Sequence, residues 1–167
     1  IKAQGEGGHV INTASMAGMV PLPGAGAYAA SKYAVRGYTQ TLRLDLAPHG
    51  IGVSCLFPGA VQSALMPVPE DDSSAPPGEE GEFVKRFWAA MRAAMDPMEM
   101  GRLVVEAIRE NRFHILTHSE FLPEMRAMHE EIEAAFVPGL PVPEARSSFE
   151  RFRHETVARL MAMEVID

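Results

Sequence analysis

The sequence predicts an α/β fold: a parallel sheet with helices on both faces. Three observations carry that prediction. Short strand-like runs alternate with longer helical patterns. One of those runs, Ile51 to Phe57, is apolar almost throughout, as a strand covered on both faces must be. The 167 residues, 47% of them apolar, are enough to form one packed core.

Taken in order, His9-Val-Ile-Asn-Thr-Ala-Ser15 follows Gly7-Gly8 and reads as a short buried strand with polar residues at its far end. Met16 to Gly26 is a Gly/Pro loop. From Ala27 to about Ala47 the pattern is helical, and Pro48-His-Gly50 closes it. Ile51–Phe57 is the second strand, ended by Pro58-Gly59. Between Pro67 and Glu82 six acids, four prolines and no base mark a solvated loop, with a lid as the sharper alternative. An amphipathic helix is expected from Phe83 to Met95. Asp96-Pro97-Met98-Glu99 is a helix start: Asp96 can accept from first-turn amides, Pro97 needs no acceptor, and Glu99 can reach back. That helix should run to about Asn111, followed by a strand over Arg112–Thr117. Two helical patterns finish the chain, one over Pro123–Phe136 and one behind the box Ser147-Ser-Phe-Glu150, reaching about Glu164.

Composition excludes several classes. With 15 Lys and Arg against 22 Asp and Glu, the formal charge of −7 argues against a nucleic-acid backbone as the partner. The single cysteine, Cys55, excludes an intramolecular disulfide and any multi-cysteine metal site, which suits a reducing cytoplasm. The uncharged stretches Val10–Ser31 and Gly50–Pro69 are long enough to span a bilayer, but their glycines, prolines and polar residues suit strands and loops instead. No basic region leads into a short apolar core, so no signal peptide is expected, and the first residue is Ile1 rather than Met. His114 and His118, four apart on a strand, would stand about 13 Å apart, too far for one metal. Ser15 lacks a Gly-x-Ser-x-Gly elbow, which disfavours a hydrolase.

The informative constellation is Ser15, Tyr28 and Lys32. Positions i and i+4 of a helix share a face, so Tyr28 and Lys32 should present a phenol and an ammonium side by side. Ser15 lies at the carboxyl end of a strand, where open α/β sheets form their ligand crevices. Lowering a phenol's pKa by ~3 units takes about 4 kcal/mol, and one ammonium roughly 4 Å away supplies about that at an effective dielectric of ~20. Tyr28 could then work as an acid/base, with the serine hydroxyl holding a substrate oxygen. A Tyr/Lys pair alone is more often a solvated helix face; its setting makes it informative. Asn12-Thr-Ala-Ser15, a Gly/Pro loop, Tyr28-Ala-Ala-Ser-Lys32 and a strand ending in Pro58-Gly-Ala-Val61-Gln-Ser63 occur in that order.

In these motifs and their spacing the sequence resembles the short-chain dehydrogenase/reductase family, over the chain up to roughly Thr117. The resemblance implies a Rossmann-like doubly wound parallel sheet, of which this chain holds the carboxyl-terminal part. It implies an NAD(P)-dependent oxidoreductase that interconverts a secondary alcohol and a ketone. Tyr28 would exchange the proton and Ser15 would orient the substrate. Lys32 would lower the Tyr28 pKa and bind the nicotinamide ribose. Pro58, Gly59 and Val61 would lie beside the nicotinamide, Val61 offering backbone groups to its carboxamide, and Ser63 stands where the family has threonine. Met19, Met66 and Trp88, with Met16 and Met91, fall in the segments that flank the substrate, suggesting a bulky apolar one. A homodimer or homotetramer through the Tyr28 helix is implied, with no metal, nucleic acid or membrane partner.

The family's Gly-x-x-x-Gly-x-Gly phosphate turn is not among these residues, nor is the acid or base that would distinguish NAD from NADP. At about 30 residues per βα unit, three or so units, roughly 90–110 residues, are expected upstream of Ile1 and needed for activity. Residues 1–117 read as the carboxyl-terminal half of the catalytic domain and 118–167 as a helical extension packed on it, hinged at Pro138–Pro143. Two other readings stay open: a non-catalytic interaction or cofactor-sensing remnant, and a dehydratase or epimerase using the same tyrosine.

Overall fold

The computed structural model describes all residues but Met66, Glu164, Ile166 and Asp167. Three parallel strands, β1 (Gly8–Thr13), β2 (Ile51–Phe57) and β3 (His114–Leu116), form one sheet in the order β1-β2-β3. β2 is buried at every residue and occupies the bounds its apolar run predicts. Asn12 lies opposite Cys55 and Thr13 opposite Leu56, so β1 and β2 finish together at one end of the sheet.

Helix α1 (Gly26–Leu46) connects β1 to β2 and is closed by a 3-10 turn, with Gly50 in the left-handed region at φ 62°. Alternation along β2 divides the core. Val53, Cys55 and Phe57 pack with Met16, Met19, Val20, Leu46 and Phe113 on one face. On the other, Leu56 meets Ile115 of β3 and Ala107 of α3 (Pro97–Arg109). Helices thus cover both faces.

Several boundaries move for identifiable reasons. β1 ends at Thr13, because Ser15 leaves the ladder to cap a 3-10 turn. Helix α2 (Glu79–Arg92) begins four residues before Phe83, with Glu79, Glu80 and Glu82 in its first turn, where the helix dipole favours acids. It stops at Arg92 because Met95 pairs as an isolated parallel bridge with Val61. Asp96 caps α3 as its sequence predicts, accepting from Met98 N at 2.6 Å. The end of α3 takes Arg112 out of the following strand: Asn111 is left-handed at φ 49°, and Arg112 N donates to Ala107 O.

In the tail, α4 (Leu122–Ala134) is led by Phe121 and packs Met125 and Met128 on the main core. Helix α5 (Glu144–Met161) corrects the expected start at Ser147: Pro143 precedes the first turn, and Ser147 sits inside the helix, its Oγ accepting from Arg151 Nη1 at 2.7 Å. Pro143 presets the backbone for helix entry, which outweighs a Ser-x-x-Glu box four residues later. The expected end at Glu164 lies outside the described residues. No helix among the described residues is long and apolar enough to cross a membrane.

Candidate active site

Two loops leave the carboxyl ends of β1 and β2 side by side. Ala14 N donates to Leu56 O at 2.8 Å and Met16 N to Pro58 O at 2.9 Å, so the two exits stay paired beyond the strands. Between those bonds stands Ser15, half-buried and extended, its Oγ accepting from Ala17 N at 3.1 Å. Accepting there leaves the hydroxyl hydrogen free to donate elsewhere.

Tyr28 lies in the first turn of α1 and Lys32 one turn later. The Lys32 ammonium stands 5.6 Å from the Tyr28 ring centroid and donates to Thr13 O at 3.2 Å. One cation therefore ties the end of β1 to the tyrosine. Tyr28 is 47% exposed. The loop is held against α1 at Gly18, where any Cβ would sit 2.8 Å from the Lys32 carbonyl oxygen. Arg36 Nη1 reaches Gly18 O from the next turn, at 3.5 Å.

Asn12 and Ser31 serve the scaffold. Asn12 Nδ2 donates to Thr39 Oγ1 at 3.1 Å, tying β1 to α1, and Thr39 passes its own hydrogen to Val35 O. Ser31 Oγ donates to Tyr28 O within the helix. Burial pushes the Cys55 thiol up, partly offset by Thr39, so this buried cysteine stays protonated beneath the site.

On the second loop Pro58, Gly59 and Val61 are half-buried and Ser63 is exposed. The bridge to Met95 is made by Ala60 O, accepting from Met95 N at 3.1 Å, and Gln62 N, donating to Met95 O at 3.0 Å. The residue between them, Val61, keeps its own N–H and C=O outside that pairing. Ser63 Oγ accepts from Leu65 N at 3.4 Å.

The residues expected to flank a substrate divide. Met19 is 6% exposed and belongs to the core with Met16; both lie beneath the loop, because the 3-10 turn after Ser15 folds them inward. Trp88 is half-buried on α2, and Met91 lines a depression of about 250 Å³ with Ser63, Pro67 and Arg92. Met66 lies outside the described residues.

One residue of the site is not marked as such by any sequence motif. His118, weighed from the sequence only as a metal ligand, is buried and holds the second loop: its Nδ1 accepts from Gly59 N at 3.1 Å, and its Nε2 lies 2.9 Å from Ala60 O. Its place directly after the third strand was the available signal, since that strand ends beside β2.

Residues 1–73 match the sequence profile described as short chain dehydrogenase. A curated relative, 1-deoxy-11-beta-hydroxypentalenate dehydrogenase of Streptomyces exfoliatus, is 30% identical over 129 residues, 77% of this chain and 42% of its own length. A protein of Novosphingobium aromaticivorans, described as a short-chain dehydrogenase, superposes with a TM-score of 0.66 at 31% identity over 96% of this chain and 50% of its own. A short-chain dehydrogenase/reductase of Burkholderia phymatum, solved in complex with NAD, gives 0.63 at 34% identity over 86% of this chain and 54% of its own. The chain thus spans about half the length of these proteins. Parallel strands covered on both faces, the serine, tyrosine and lysine motifs at one sheet end, and these likenesses lead to one conclusion: the chain belongs to the short-chain dehydrogenase/reductase family and has its Rossmann-like α/β fold.

Proposed function

We propose that this chain carries the acid/base machinery of an NAD- or NADP-dependent oxidoreductase that interconverts a secondary alcohol and a ketone. The observation that carries the reading is the Lys32 ammonium, 5.6 Å from the exposed Tyr28 ring and bonded to Thr13 O, two residues before Ser15. Tyr28 gives a proton to the carbonyl oxygen in reduction and takes it from the alcohol in oxidation. Lys32 stabilises the phenolate that forms when the proton leaves. Ser15 donates its free hydroxyl hydrogen to the same substrate oxygen and holds it in line with Tyr28.

The donor set fits a nicotinamide riboside. Lys32 is a cation with hydrogens to spare for ribose hydroxyls, and the N–H and C=O of Val61, which have no partner among the described residues, match the acceptor and donor of a carboxamide. Pro58 and Gly59 would lie against the ring and Ser63 at the edge of its site. The cofactor, when bound, supplies or accepts the hydride. Its pyrophosphate requires the Gly-x-x-x-Gly-x-Gly turn, a pattern that does not occur in the 167 residues. The depression beside Ser63, with Met91 on its wall and Trp88 on the same helix, supports a bulky apolar substrate. Residues 118–167 extend the same catalytic domain, in keeping with Met125 and Met128 of α4 in its core. The outward face of α1, where Tyr33 and Tyr38 are exposed, supports a homodimer or homotetramer. The net charge of −7 and lone cysteine support a cytoplasmic small-molecule enzyme.

The test is to follow the near-ultraviolet absorbance of reduced nicotinamide when secondary alcohols are added to the full-length protein with NAD or NADP. Growth of that absorbance is expected. Substrate conversion without it would point to a dehydratase or epimerase. Neither signal with any alcohol or ketone would leave a non-catalytic module as the better reading.

A further inference from the structure

We propose that His118 is a positioning residue for the nicotinamide end of the cofactor, acting through the turn Pro58-Gly59-Ala60-Val61; the inference rests on the oxidoreductase reading above. The ring meets three polar groups. Nε2 lies 2.9 Å from Ala60 O, an acceptor only, so Nε2 carries the hydrogen. Nδ1 is then the acceptor: it takes the Gly59 N–H at 3.1 Å, and Thr117 Oγ1 stands 2.7 Å from it. One neutral tautomer thus serves both bonds to the turn. The ring is 9% exposed and meets Phe121 edge-on, with centroids 6.5 Å apart.

The same ring explains Gly59. A Cβ there would stand 2.7 Å from His118 Cγ and Cδ2, so the turn lies flat against the imidazole only because position 59 has no side chain. Ala60 O accepts from His118 on one side and from Met95 N on the other. The peptide groups flanking Val61 are thus fastened to His118, just past β3, and to Met95, just before α3. Among the described residues, Val61's own N–H and C=O, the pair that suits a carboxamide, have no partner. Without the imidazole hydrogen bonds, the turn would still be held at its ends, by Met16 N on Pro58 O and by Met95 on Ala60 and Gln62, but Gly59 N would lose its acceptor, Ala60 O would lose one of its two donors, and the Val61 pair would lose its fixed direction.

The experiment measures binding of NAD(P)H and of ADP-ribose, which lacks the nicotinamide, by the full-length protein and three variants. His118→Phe keeps an aromatic ring against Phe121 but removes both bonds to the turn and the Thr117 contact; His118→Asn retains an acceptor for Gly59 N; Tyr28→Phe tests the parent reading. Expected for His118→Phe is roughly tenfold weaker NAD(P)H binding with ADP-ribose binding unchanged, and for His118→Asn a partial return. Unchanged NAD(P)H binding in His118→Phe would overturn the inference. So would equal weakening toward both ligands, since that is the mark of a general structural role. If Tyr28→Phe turns over like the parent protein, or the parent binds no nicotinamide nucleotide, the oxidoreductase reading fails and this inference with it; a silent His118→Phe beside an inactive Tyr28→Phe overturns the inference alone.

Discussion

Gly18 is where the account makes its sharpest structural prediction. A Cβ built there stands 2.8 Å from the Lys32 carbonyl oxygen and 2.9 Å from its carbon, both backbone atoms in the middle of α1. Ordinary contact begins near 3.4 Å, so Gly18→Ala must push the Ser15 loop from α1 by about half an ångström. Overpacking of this kind costs ~1–3 kcal/mol, about a 5- to 150-fold drop in the folded-to-unfolded ratio. Gly101 is the control: it sits inside α3 with nothing within 4 Å of its Cβ position, so Gly101→Ala should stabilise by about 0.5–1 kcal/mol. Urea titrations of this chain, with m unchanged, read both. In the full-length protein Gly18→Ala should also lower turnover, because the displaced loop carries Ser15 away from Tyr28. A Gly18→Ala chain as stable as the parent would refute the claim that loop and helix are in backbone contact there.

Three further outcomes follow from packing, capping and titration. Phe57→Ala removes a wholly buried ring from the carboxyl end of β2 and should cost ~3–5 kcal/mol in the same titration. Asp96→Ala deprives Met98 N of its acceptor and should cost about 1 kcal/mol, seen as a lower thermal midpoint. Burial and the Arg43 charge hold His9 below its ordinary 6.5, and burial with Arg36 and Arg43 does the same to His114. Unfolding frees both, so just below pH 6.5 the unfolded chain binds more protons and stability falls on acidification. Urea midpoints between about pH 5 and pH 8 should show that slope, and His114→Gln should flatten it.

The parts of the fold legible in the sequence are those decided locally. β2 was legible because a strand buried on both faces has one composition, and the start of α3 because Asp96-Pro97 is a self-contained cap. The order Ser15, Tyr28, Lys32 was legible because helix geometry alone puts Tyr28 and Lys32 on one face. Boundaries that depend on contacts between distant segments are not visible in local sequence. Arg112 leaves β3 because its amide closes α3, and Met95 leaves α2 because Val61 recruits it, 34 positions away in sequence. Met19 reads as a pocket residue beside Ser15, but the direction of a 3-10 turn puts it in the core. His118 was hidden for the same reason: its partners, Gly59 and Ala60, are close in space and far in sequence.

The central claim is that Tyr28 moves the proton, and Tyr28→Phe in the full-length protein tests it most directly. The change deletes one oxygen from a residue 47% exposed on the first turn of α1, so folding and nicotinamide binding should persist. Turnover of a secondary alcohol should fall by about 10²–10⁴-fold, the usual contribution of a positioned acid/base. Turnover within a factor of two of the parent protein, with binding intact, would contradict the account.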